Sequence, residues 1–141
     1  MKDLVIGIDA STTAVKAIAF SREGEAVAEC RGTYPLSTPH PGHYEQNPDD
    51  WWTALFSALR ELTSQVNPSR FAGLAITHQR ETFALLDQTG TAVRPAILWL
   101  DERARAEVAS LSKTFGRDQI RDWTGKSPDP TPALYALAWL K

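Results

Sequence analysis

Hydrophobic and polar residues come in short, separate blocks along this chain. "LVIGID" (4–9) is a brief β-branched apolar run and predicts a buried strand. "ASTT" follows as a turn of small and hydroxyl residues. "AVKAIAF" (14–20) then alternates apolar and other residues, as a second strand does. "SREGE" (21–25) is a Gly-containing turn, and "AVAECRGTY" (26–34) predicts a third strand, giving an antiparallel meander. Residues 35–48 have loop composition. A helix is predicted from Asn47: Asn as cap, Pro48 in its first turn, Asp49 and Asp50 at the positive end of its dipole. Trp52, Leu55, Leu59, Leu62 and Val66 fall on one face of that helix, and "NPS" (67–69) ends it.

The second half continues in the same vocabulary. "FAGLAIT" (71–77) and "TFALLD" (82–87) predict two more strands, the first of them buried, with "QTG" (88–90) as a turn and "PAILWL" (95–100) as a short apolar run. "DERARAEVASLSKTFG" (101–116) predicts a helix with Ala104, Val108, Leu111 and Phe115 on one face and Gly116 as its stop. "DPTPALYALAWLK" (129–141) begins a last helix, with Pro132 in its first turn. Three strands, helix, strand, strand, helix is an α/β order, but not the alternation of a doubly wound sheet. The last helix is still running at Lys141, which suggests a truncated protein.

Composition narrows the function classes. With 15 Lys plus Arg against 17 Asp plus Glu, the net charge of -2 points to neither a nucleic-acid nor a membrane partner. The 141 residues, 43% of them hydrophobic, suffice for one globular domain with a core. Cys30 is alone, so no internal disulfide forms. The apolar stretch at the start ends at Asp9, too short for a signal peptide or a membrane span, and a cytoplasmic location is the expectation.

Chemistry concentrates at two places. Asp9 ends a buried strand, where an unpaired carboxylate is costly. By itself it reads as a turn former. The "ASTT" that follows adds small side chains that let N–H groups approach an anion, and three hydroxyls that can donate to phosphate oxygens. Lys16 returns toward that turn across the hairpin. One carboxylate with phosphates and waters is also a usual Mg²⁺ environment. The second place is His78-Gln79-Arg80-Glu81, a polar block between apolar runs with no Gly, Pro, Asn or Asp to turn the chain. A solvated Arg–Glu surface pair is one reading. The other places the block at the C-terminal edge of a strand, where ligands collect in α/β sheets. Arg donates through a planar fork and Glu accepts, so the pair can bracket vicinal hydroxyls. Trp99 can pack on the C–H face of a sugar, although by itself a Trp here reads first as core packing.

Several motifs fail. "TGKS" (124–127) resembles the end of a P-loop, but Ile120 stands where the first Gly belongs and Pro128 follows directly. There is no G-x-G-x-x-G and no G-x-S-x-G. His40, His43 and Glu45 lie around Pro41 and Gly42 without further ligands and read as loop residues.

"VIGIDASTTAVKAIAF", "HYEQNPDDWW" and "GLAITHQRETFALLDQTGTAVRPAILWLDERA", in this order, resemble the N-terminal domain of the FGGY carbohydrate kinases, a family that includes xylulokinase and glycerol kinase. The resemblance runs from about residue 4 to the end. It implies an α/β, ribonuclease-H-like domain of the actin and hexokinase type: a three-stranded antiparallel meander plus further strands with flanking helices. It implies ATP-dependent phosphorylation of a sugar or polyol, xylulokinase-like, with residues 1–141 as the N-terminal part. By the same resemblance Asp9 sits at the Mg²⁺–ATP phosphates, and Thr12, Thr13 and Lys16 line the phosphate loop. Arg80 and Glu81 match the pair that binds polyol hydroxyls in glycerol kinase, beside His78 and Gln79, and Trp99 matches its apolar wall. Xylulokinases usually carry Met-His where Arg80-Glu81 stand. Thr131 follows Asp129-Pro130 where glycerol kinase has a substrate Tyr. The catalytic base and the adenine pocket are expected beyond Lys141, so this part alone is expected to be inactive. Such kinases are often homodimers. Two competing readings are an actin-like ATPase domain and a non-catalytic sugar-binding or regulatory domain.

Overall fold

In chain order the elements are β1 (Leu4–Ala10), β2 (Ala14–Phe20), β3 (Ala26–Thr33), β4 (Glu45–Gln46), α1 (Pro48–Gln65), β5 (Phe71–His78), β6 (Ala96–Ile97), α2 (Arg105–Phe115), α3 (Arg117–Thr124) and α4 (Ala133–Leu140), with a 3-10 turn at Pro68–Arg70. The computed structural model describes residues 2–141. Two compact units divide the chain, Met1–Leu36 with Asn47–Gln79, and Ser37–Gln46 with Arg80–Lys141.

The first unit is a mixed sheet in the order β3-β2-β1-β5, antiparallel through the meander and parallel between β1 and β5. Strand alternation sends Leu4, Ile6 and Ile8 of β1 to one face, opposite Ala17 and Ala19 of β2 in register, and all five are buried. Helix α1 covers that face. Its N-terminus is capped as predicted, the Asn47 side chain accepting from the Asp49 N–H at 3.2 Å.

The buried face of α1 keeps Leu62 and Val66 of the predicted stripe, with Leu55 and Leu59 partly buried against the core, but Trp52 lies outside it. Ala54, Ala58 and Leu62 are buried, whereas Trp52 is 60% exposed and stacks on Phe56, with ring centroids 5.9 Å apart. The reason is close approach. A Cβ at Gly32 of β3 would lie 2.4 Å from the Ala54 carbonyl oxygen, so only small residues fit at this seat. The expectation that β5 is buried is also corrected. α1 packs on β2 and β3, and in β5 Leu74 and Ile76 stay more than half exposed.

The second unit centres on the β4–β6 pair, with Ala96, Ile97, Leu98, Ala104, Ile120, Tyr135 and Ala136 buried. Residues 82–87 are not the predicted strand. They pair with their neighbours through isolated bridges, Phe83 to Ile97 and Leu86 to Ala92, and form no continuous ladder, the facing strand β6 being two residues long. Asp87 then ends the segment, accepting from the Thr89 and Thr91 N–H groups. The predicted helix at 101 begins four residues later, at Arg105. Asp101 is spent on other bonds: it accepts from the Tyr44 N–H at 2.7 Å, the Arg103 N–H at 2.9 Å and the Arg103 guanidinium at 2.8 Å. Phe115 of the predicted apolar face is half exposed. Helix α3 is not predicted at all. It follows Gly116 (φ 83°), buries Ile120, and sets Trp123 edge to face against Phe115.

Candidate functional site

The expected site residues fall into two sets, one in each unit, and the unit boundary passes between Gln79 and Arg80.

In the first unit Asp9 lies near the end of β1. The parallel register sets Thr77 of β5 beside Asp9 and His78 beside Ala10. The Gln79 N–H donates to the Ala10 carbonyl at 3.2 Å. Two parallel strands thus bring Asp9, His78 and Gln79 to one C-terminal sheet edge, the position at which α/β sheets collect ligands. The antiparallel register sets Lys16 opposite Asp9, on the same face. Its ammonium lies 3.6 Å from a Glu29 carboxylate oxygen, and both side chains are about half exposed, so the pair constrains Lys16 little.

The turn between β1 and β2 is built from inside. Ser11 donates its hydroxyl to an Asp9 carboxylate oxygen at 2.9 Å, and its N–H to the Ala14 carbonyl at 2.9 Å. The hydroxyl of buried Tyr34 reaches the Ala14 carbonyl at 2.9 Å and the Ser11 carbonyl as well. Burial, with the nearby Asp9 charge, pushes the Tyr34 phenol above its ordinary range, so it remains a neutral donor. Ser11 therefore serves Asp9, and Thr12 and Thr13 are the remaining hydroxyls of the loop. A hollow of about 350 Å³ opens on this sheet face, lined by Gly7, Asp9, Ile18, Phe20, Ala75 and Thr77 among others.

In the second unit Glu81 carries the set. Among the described residues it is the one non-glycine with a positive φ, 65°. That left-handed conformation costs an ordinary side chain about 1–2 kcal/mol. The Glu81 carboxylate accepts from the Ala133 N–H at 3.0 Å, at the start of α4, and is ion-paired with the Lys126 ammonium. The Lys126 bond, and then the Ala133 N–H, hold its pKa below the usual carboxylate value against the smaller effect of burial. Arg80 is exposed and adds a positive charge that acts in the same sense. Thr82, the next residue, accepts the Trp99 N–H on its hydroxyl at 3.1 Å, which ties the Trp99 backbone to the Glu81 turn and leaves the indole 42% exposed. A hollow of about 220 Å³ lies beside Glu81, lined by Thr124, Lys126, Ser127, Pro132 and Tyr135 among others. Thr131, two residues before Ala133, donates its N–H to Asp129 at 2.9 Å.

His40 and His43 meet edge to face at 5.2 Å, and Glu45 is occupied by Arg94 at 2.7 Å and Arg103 at 2.8 Å. Among the described residues no cluster of three His, Cys, Asp or Glu could hold a metal. Asp9 is therefore a lone carboxylate among hydroxyls, a donor set that fits Mg²⁺ held largely by phosphates and water. Sequence reasoning missed Lys126 and the Ala133 N–H. "TGKS" is correctly no P-loop, since Gly125 is the left-handed cap of α3 (φ 71°), yet its lysine reaches Glu81. No spacing rule connects those positions.

The pattern of the FGGY family of carbohydrate kinases, N-terminal domain, matches residues 4–141. The chain is 34% identical to a glycerol kinase of Gluconobacter oxydans (strain 621H) over 141 residues, covering 99% of this chain and 28% of that protein. A crystal structure of xylulose kinase from Rhodospirillum rubrum superposes with a TM-score of 0.92 at 32% identity, covering 97% of this chain and 28% of that one. Plasmodium falciparum glycerol kinase, solved with ADP, gives 0.86 at 26% identity over 97% of this chain and 28% of that one. The chain thus spans little more than a quarter of the length of these relatives. The α/β, ribonuclease-H-like fold class expected from the sequence holds.

Proposed function

Because the chain belongs to the FGGY family of carbohydrate kinases and forms its N-terminal domain, we propose that the protein it serves transfers the γ-phosphoryl group of ATP to a hydroxyl of a small sugar or polyol, in the manner of a xylulokinase. The observation that carries this reading is Glu81: a carboxylate kept in a strained backbone conformation, gripped from two sides and preceded by an exposed Arg. Backbone strain persists only where the surrounding structure over-determines it, and it clusters at active sites and ligand clamps.

In this reading the Arg80 fork donates to acceptor hydroxyls and Glu81 accepts from them. Trp99 offers its indole to the C–H face of the sugar and Thr131 a polar contact, while His78 and Gln79 are proposed as substrate-binding residues at the β1–β5 edge. Thr12, Thr13 and Lys16 contact the phosphates of ATP. Asp9 holds Mg²⁺, which when bound neutralises charge on the transferring phosphoryl group. What these side chains contribute is positioning and charge neutralisation, the main requirements of phosphoryl transfer. No residue of this chain is assigned as the base that takes the hydroxyl proton. A cytoplasmic location and a homodimer belong to the same reading.

The test is ADP release by the full-length protein against a panel of pentuloses, polyols and glycerol. One or more acceptors should stimulate it. Asp9→Asn should lower kcat by about 100-fold or more, while calorimetry shows acceptor binding retained. Lost acceptor affinity in that variant contradicts a metal-side role for Asp9.

A further inference from the structure

The Lys126–Glu81 contact has a geometry that surface pairing does not explain. Exposed Lys–carboxylate pairs stabilise little, and the Glu81 turn costs backbone strain that such a pair does not offset. The side chain of Glu81 is 26% exposed and that of Lys126 55%, so the ammonium spans from a half-buried carboxylate to solvent. One carboxylate oxygen takes the ammonium and the other the Ala133 N–H. Each oxygen keeps a further lone pair for a ligand. The hollow that Glu81 and Lys126 share adds the Thr124 and Ser127 side chains and the buried Tyr135. A ligand entering it meets an acceptor, an ammonium with further donors and the Ser127 side chain, the Thr124 hydroxyl being held by the Ile120 carbonyl at 2.8 Å and the Lys126 N–H at 3.1 Å.

We propose that Lys126 is the positioning residue of the acceptor site, fixing the Glu81 carboxylate as an aimed hydrogen-bond acceptor for the vicinal hydroxyls of a neutral sugar or polyol. The inference rests on the acceptor role of Glu81 proposed above. Lys126 acts through Glu81 and offsets its negative charge, so the carboxylate meets an uncharged polyhydroxy ligand as a paired acceptor. The charged groups acting on Glu81 are Lys126 and Arg80. Removing Lys126 removes the largest influence that depresses its pKa, so the carboxylate form is lost at higher pH than in the wild type.

The experiment is steady-state kinetics of the full-length protein with glycerol and D-xylulose as acceptors. Lys126→Met should raise the acceptor KM at least about tenfold with a much smaller change in kcat. The KM for ATP should stay within about twofold, because uniform binding is lost only on the acceptor side. The acid limb of kcat/KM should move to higher pH. Lys126→Arg, which keeps the charge, should return the acceptor KM to within about threefold of wild type. An unchanged acceptor KM and an unmoved acid limb in Lys126→Met, while Glu81→Gln raises KM, overturn the role of Lys126 alone. An unchanged KM in Glu81→Gln, or no turnover of either acceptor by the wild type, overturns the acceptor reading together with it.

Discussion

Gly32 offers a quantitative test of how α1 is seated on the sheet. A Cβ at this position would meet the Ala54 carbonyl oxygen at 2.4 Å and the Ala54 carbonyl carbon and Cα at 2.9 Å. Real Cβ atoms essentially never approach closer than 3.0 Å, and all three obstacles are helix backbone, so no side-chain rotation relieves them. Gly32→Ala must therefore lift α1 and loosen the contacts of Ala54, Ala58 and Leu62 with β2 and β3. Overpacking of this sort costs about 1–3 kcal/mol, and a backbone obstacle places it at the upper end. Against it stands the loss of unfolded-state freedom on replacing Gly, about 0.4–1 kcal/mol in favour of Ala. The clash wins, by about 2 kcal/mol. Gly73 in β5 is the control: a Cβ there meets nothing within 4 Å, so Gly73→Ala should be neutral or stabilising by less than about 1 kcal/mol. Urea unfolding read by tryptophan fluorescence measures both. With m near 1–3 kcal/mol/M, the Gly32→Ala midpoint should fall by about 1 M and the Gly73→Ala midpoint should not fall. A Gly32→Ala midpoint at or above wild type refutes the close helix seat.

Two further predictions concern the buried ion network. Asp101→Asn should lower unfolding free energy by about 2–3 kcal/mol in the same assay, less than for a fully orphaned charge because Glu45 still holds the Arg103 guanidinium at 2.8 Å. The second prediction is a pH dependence. Burial works to raise the Asp101 pKa, but Arg103 and the Tyr44 N–H outweigh it and hold the carboxyl below its ordinary value. The stability from Asp101 is then fully present above the unfolded carboxylate range near pH ~4 and lost as pH falls through the depressed folded value. Unfolding midpoints measured from pH 6 down to about pH 3 should decline less steeply in Asp101→Asn than in wild type.

The sequence revealed most where its signals are local. The alternation in residues 14–20 has the period that a half-buried sheet enforces, and Asn47-Pro48 with two aspartates specifies a helix start without help from tertiary contacts. Prediction failed where a distant partner decides. Residues 82–87 have strand composition but face a two-residue strand and form isolated bridges, not a continuous ladder. Asp101 carries a helix-start signal, yet Tyr44, fifty-seven residues earlier, and Arg103 claim its oxygens. The charge-rich α3 buries one residue, Ile120, which leaves little periodicity to detect. In the candidate site, Asp9 with its hydroxyl turn and Arg80-Glu81 stood out because each places polar groups where flanking apolar runs make them costly. Lys126 did not, because its meaning comes from a contact across forty-five residues.

The most direct test of the central claim is the acceptor KM of full-length Arg80→Lys. The account predicts a rise of about tenfold or more, because an ammonium replaces the planar fork and loses a charge-assisted hydrogen bond, with the KM for ATP unchanged. An unchanged acceptor KM, measured with an acceptor that the wild type phosphorylates, contradicts it.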